Sequence, residues 1–163
     1  MDDMNRFKDA RDKGARYLLA QIHPDGSFGD IELGLNDYYK VPAALHVAGY
    51  TQAASSLLSW IYDNGILPNG DFGPRPPNQN KSWDYWYIYY NTWVVMGAHQ
   101  LGRFDLSQRG MDFICEFWDK DSGGFYSHPT QRTAKTKQDL WVVAGCGIAA
   151  NYTSRLKYSL GVG

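Results

Sequence analysis

The chain has 163 residues, 16 Lys+Arg against 17 Asp+Glu, and 15% aromatic content from 6 Trp, 12 Tyr and 7 Phe. That length fits one domain with a real core, since a ~150-residue domain buries roughly 70% of the surface its unfolded chain exposes. A formal charge of −1 offers no general attraction for a phosphate backbone, which argues against a nucleic-acid partner, and the longest apolar runs fall far short of the ~20 residues of a membrane span.

Residues 1–6 contain no basic stretch leading into an apolar one, so no secretory signal is expected. Cys115 and Cys146 lack partners at metal-ligand spacing and read as reduced thiols of a cytoplasmic protein, with no metal or cofactor implied.

In chain order, the first element is an amphipathic helix over residues 7–22, with Ala15, Leu18, Leu19 and Ile22 on one face and Lys8, Arg11 and Arg16 set outward. Similar stretches follow at 53–62 and 106–118, the last with Asp105 and Gln108 at capping-box spacing. Each leads into a Gly-Phe turn containing Phe28, Phe72 or Phe125, and those phenylalanines lie 44 and 53 residues apart. After each turn comes a more apolar helix, predicted at 38–48, 82–101 and 137–150.

The apolar helices align with one another. Trp93-Val94-Val95-Met96-Gly97 matches Trp141-Val142-Val143-Ala144-Gly145, and His46-Val47-Ala48-Gly49 matches His99-Gln100-Leu101-Gly102. Shared apolar content alone would not keep a Trp, a Gly and a His in register. The chain therefore reads as an all-α array of α/α hairpins (5–49, 50–102 and 103–150), with 151–160 as a partial fourth outer helix. In each, the apolar helix forms an inner layer and the amphipathic helix an outer one.

At Lys13-Gly14-Ala15-Arg16-Tyr17-Leu18, followed by Gln21 and Gly26-Ser27-Phe28, the chain resembles the α/α toroids of the terpenoid-cyclase and protein-prenyltransferase superfamily. Phe28 stands where the QW-type repeat of squalene–hopene cyclases has Trp. Arg109-Gly110-Met111-Asp112-Phe113-Ile114 opens the third hairpin in the same way. The Asp-x-Asp-Asp acid motif of the cyclases and the Asp, Cys and His zinc set of the prenyltransferases are absent. Such toroids close with more hairpins than are found here, which implies a fragment, self-association or a missing second half. The turn Gly123-Gly124-Phe125-Tyr126 also resembles loops of α/α barrels that act on sugars.

The aromatic excess concentrates at 83–93, where seven of 11 positions are Trp or Tyr. Asp84, Tyr87, Asn91 and Val95 share one helical face, read as facing a cavity near its mouth. Trp86, Tyr87, Tyr90 and Trp93 would line it. By internal alignment the first inner helix adds Asp37, Tyr38 and Lys40, and the third adds Gln138 and Asp139. His128 and Arg75 would sit on rim loops.

Asp84 and Asp139 are the candidate proton-handling pair, against the alternative that both only cap helix N-termini. His46 and His99 would bond free carbonyls at helix C-termini. The leading expectation is a small-molecule enzyme that cyclises or isomerises an apolar substrate, with ring faces stabilising positive charge. The alternatives are a carbohydrate-active epimerase, lyase or hydrolase, and a non-catalytic half-toroid that docks with a partner or itself.

Overall fold

The computed structural model describes residues 2–75, 86–128, 130, 132 and 139–159. Its helices are α1 (Asp2–Leu19), α2 (Leu35–Tyr38), α3 (Val41–Val47), α4 (Thr51–Trp60), α5 (Tyr89–Gln100), α6 (Phe104–Cys115), α7 (Leu140–Tyr152) and α8 (Leu156–Ser159), with a π-helical turn at Ile61–Gly65. The protein is mostly helical, and among the described residues no helix is long and apolar enough to cross a membrane.

Each amphipathic helix ends on the same device. Single antiparallel bridges join Ile22 to Phe28, Ile66 to Phe72 and Trp118 to Phe125. Beside them, the N–H groups of His23, Leu67 and Asp119 donate to the carbonyls of Ser27, Asp71 and Gly124 at 2.8–2.9 Å. Gly26, Gly70 and Gly123 take φ of 89°, 90° and 73°, which a side chain would strain. At Gly26 and Gly70 the missing Cβ also lets the turn rest on the carbonyls of Ser56 and Arg109 in the next outer helix. Drawing Ile22 and Trp118 into these bridges stops α1 and α6 three residues short of the sequence-based ends at 22 and 118.

The first inner segment is divided. Pro42 lies in the first turn of α3, where its missing N–H costs nothing, and Tyr39-Lys40 form a turn between α2 and α3. The three longer inner helices close alike. The N–H groups of Tyr50, Arg103 and Arg155 reach back five residues to the carbonyls of Leu45, Ala98 and Ala150 at 2.8–2.9 Å, across residues of positive φ at Gly49, Gly102 and Ser154. These are Schellman closures, which satisfy the last helical carbonyls.

Closure at Gly102 starts α6 at once, so Arg103 rather than Asp105 precedes the helix, and the expected capping box does not form. Asp105 instead pairs with Arg103 through two bonds of 3.0 and 2.7 Å. His46 and His99 likewise leave the carbonyls alone. Their Nδ1 atoms bond Thr51 Oγ1 at 3.3 Å and Ser107 Oγ at 3.2 Å on the following outer helices.

Helices α3, α5 and α7 stand side by side, with α1 and α4 against α3, α6 against α5 and α7, and α8 against α7. Two glycines set the inner spacing. A Cβ on Gly97 would meet the Ala43 backbone at 3.0 Å, and one on Gly145 would meet Thr92 Oγ1 at 2.8 Å. That explains why Gly recurs in register after Trp93 and Trp141. Leu57, Phe72, Val95, Leu106, Met111 and Phe125 fill the space between the rows with no exposure.

Candidate functional site

Helix α5 carries two chemically different faces. On one, Asn91 is fully buried and its Nδ2 donates to Asp71 Oδ1 at 2.8 Å. Asp71 sits in the second turn, where its Oδ1 also takes the Phe72 N–H at 2.8 Å and Arg75 at 2.9 Å, while Oδ2 takes the Tyr87 hydroxyl at 2.6 Å. Arg75 bonds Asn91 Oδ1 at 2.7 Å and lies 3.7 Å over the Tyr87 ring. Every acceptor of this buried carboxylate is engaged, the condition for keeping a charge inside at tolerable cost. Burial, and then the bond to Asp71, push the Tyr87 phenol up to about 12.

The other face is open. Tyr89, Trp93, Met96 and Gln100 form a helical stripe there, beside Ala43 of α3 and Trp141, Ala144, Ile148 and Tyr152 of α7. They line a cleft of about 320 Å³. Above it, Tyr39, Lys40, Trp86, Tyr89, Tyr90 and Trp141 line a second cleft of about 360 Å³. Tyr89 and Trp141 line both, so the two clefts adjoin as a groove beside α3, α5 and α7. The Lys40 ammonium lies 5.2 Å, 5.7 Å and 5.1 Å from the ring centroids of Tyr39, Tyr89 and Trp93. Tyr39 and Tyr90 pack edge to face at 4.7 Å. Trp141 is 69% and Trp86 41% exposed, unusual for rings of that size.

Against protein-family models, curated proteins and solved structures, the chain matches none. The assignment of a site therefore rests on this geometry.

Of the residues singled out from sequence, Lys40, Trp86, Tyr90 and Trp93 line the groove. Tyr87 and Asn91 are placed in the Asp71 cluster, and Val95 is buried beside Gly110 of α6. Tyr38 is buried, with its hydroxyl donating to Gly73 O at 2.6 Å. Asp37 Oδ2 accepts the Asp30 N–H at 3.1 Å, closing the turn that follows the first loop. Arg75, a candidate anion contact, already bonds Asp71 and Asn91.

Asp139 caps α7, its Oδ1 accepting the N–H groups of Trp141 at 2.8 Å and Val142 at 3.4 Å. His128 is buried, with Nδ1 accepting the Thr130 N–H at 3.2 Å. Asp84 and Gln138 lie outside the described residues.

Sequence reasoning missed Asp71 and Tyr89. Asp71 is the one carboxylate among the three turns at a position held elsewhere by Ser27 and Gly124, and that difference was the available signal. Among the described residues, no three His, Cys, Asp or Glu side chains come together as a metal site needs. Burial raises the thiols of both Cys115 and Cys146, which disfavours the nucleophilic thiolate.

Proposed function

We propose that the chain binds an apolar small molecule in the groove along α3, α5 and α7. As part of an α/α toroid of terpenoid-cyclase type, it would shape that molecule toward cyclisation or isomerisation. The observation that carries this reading is the pair of adjoining clefts that share Tyr89 and Trp141. Each has the size of a small-ligand site; the lower lining is largely aliphatic and aromatic, and the upper one is aromatic, with tyrosine hydroxyls and the Lys40 ammonium. The groove holds no carboxylate among the described residues lining it, so the support extends to binding and shaping. A sugar would need more hydrogen-bonding partners than the lower cleft offers, where Gln100 already donates to the Tyr152 hydroxyl at 3.0 Å.

Titration with the neutral fluorophore Nile red tests the reading. Saturable 1:1 binding is expected, abolished by Ile148→Glu at a half-exposed groove position and kept by Tyr17→Glu on exposed α1. Undiminished binding in a folded Ile148→Glu protein would overturn it. A dimer in sedimentation that Ile148→Glu dissolves, without dye binding, would make the face an interface between copies instead.

A further inference from the structure

We infer that the natural ligand of the groove is an amphipathic carboxylate, its head on Lys40 and its hydrocarbon body running down α5 past Trp93 and Met96. This rests on the groove being a ligand site. Lys40 stands at the internal-repeat position held by Trp93 in the second hairpin and Trp141 in the third, so a cation replaces a ring at the upper end only. No carboxylate lies within ion-pair distance of it among the described residues. Its ammonium is instead oriented by Tyr39, Tyr89 and Trp93. Ring contacts of this kind hold the charge in place without neutralising it.

The same contacts disfavour a cationic ligand. Two like charges ~4 Å apart repel by about 1 kcal/mol in water and about 4 kcal/mol at the effective dielectric of a partly covered site. Three of the rings at this end, Tyr39, Tyr89 and Trp93, already face Lys40. Below, Ala43, Met96, Ala144 and Ile148 present apolar side chains, and Gln100 donates to the Tyr152 hydroxyl. Among the described residues, polarity thus runs in one direction, from the Lys40 cation at the top to an apolar lower cleft. Among the described residues lining the groove Lys40 is the one cation, which matches a singly charged head such as a carboxylate.

The experiment compares dodecanoate, dodecanol and dodecyltrimethylammonium by calorimetry below their aggregation concentrations, on the wild type, Lys40→Gln and Lys40→Arg. In the wild type, dodecanoate is expected to bind about tenfold tighter than dodecanol, and the ammonium amphiphile weakest. Lys40→Gln should bring dodecanoate down to the affinity of dodecanol while leaving dodecanol unchanged, and Lys40→Arg should keep the preference. Equal binding of dodecanoate and dodecanol to the wild type, or an unchanged preference in Lys40→Gln, overturns the head-group assignment and leaves the groove standing. Failure of all three amphiphiles and of Nile red overturns the groove reading itself.

Discussion

The Tyr87 hydroxyl donates to Asp71 Oδ2 at 2.6 Å, tying the chain just ahead of α5 to the turn that follows α4 and its π-helical end. Asn91 makes the same connection one turn further along, to the other carboxylate oxygen. With the packing of Val94, Val95 and Ala98 in the core, the pair holds the rotation of α5 about its axis. It thereby decides which aromatic residues reach the groove.

Replacing Asp71 by Ala should cost about 3 kcal/mol, because Arg75, Asn91 and Tyr87 would all lose their shared acceptor in a largely buried place. Arg75 keeps 21% side-chain exposure, which places the cost at the lower end of the range for breaking a buried pair. Asp71→Asn retains an accepting oxygen and should lose less. Urea unfolding measures both, and a loss below ~1 kcal/mol for Asp71→Ala would show that the cluster adds little to stability.

The Tyr87 phenol is raised in the folded state, and burial raises Tyr38 as well. The neutral form is the one the fold favours, so this stabilisation is whole below about pH 10, where an unfolded tyrosine ionises. It is lost as pH climbs to about 12. The urea midpoint should therefore fall steeply above about pH 10. In Tyr87→Phe the alkaline fall should be shallower, and an ultraviolet titration should show one fewer late-ionising tyrosine.

Gly110 and Gly14 share the same sequence wording but not the same surroundings. A Cβ on Gly110 would meet the Phe72 ring at 2.6 Å and Val95 at 2.7 Å, whereas one on Gly14 meets nothing within 4 Å. Gly110→Ala should destabilise by about 1–3 kcal/mol through overpacking. Gly14→Ala, in the exposed middle of α1, should stabilise by about 1 kcal/mol. Thermal melts of the two variants should move in opposite directions.

Ser154 occupies, at φ 60°, the left-handed position that Gly49 and Gly102 fill in the other two Schellman closures. Ser154→Gly removes a Cβ penalty of roughly 1 kcal/mol, offset in part by greater freedom of the unfolded chain. A net gain of a few tenths of a kcal/mol, read as a higher melting temperature, is expected. A lower one would mean that the Ser154 side chain makes a contact worth more than the strain.

The sequence by itself determined the local devices. The Gly-Phe turns and the 3.6-residue periodicity of the amphipathic helices act within a few residues, so they were legible without a fold. The recurrence of Gly97 and Gly145 was legible too, although its cause, the close passage of α3 by α5 and of α5 by α7, appears only once the helices are packed.

What only tertiary structure decided is the direction in which α5 faces. A helix that carries Tyr, Trp, Val or Met on every side has no polar face to turn outward, so periodicity cannot orient it. The stripe of Tyr87, Asn91 and Val95 that looked like a cavity wall is turned to the turn loop and the outer helix by Asp71, a residue 16 to 20 positions away whose role no local pattern announces. Tyr89, Trp93, Met96 and Gln100 are left on the open side, under Lys40. The groove is thus set by long-range contacts, the hydrogen bonds to one buried carboxylate and the close packing of α5 on α3 and α7.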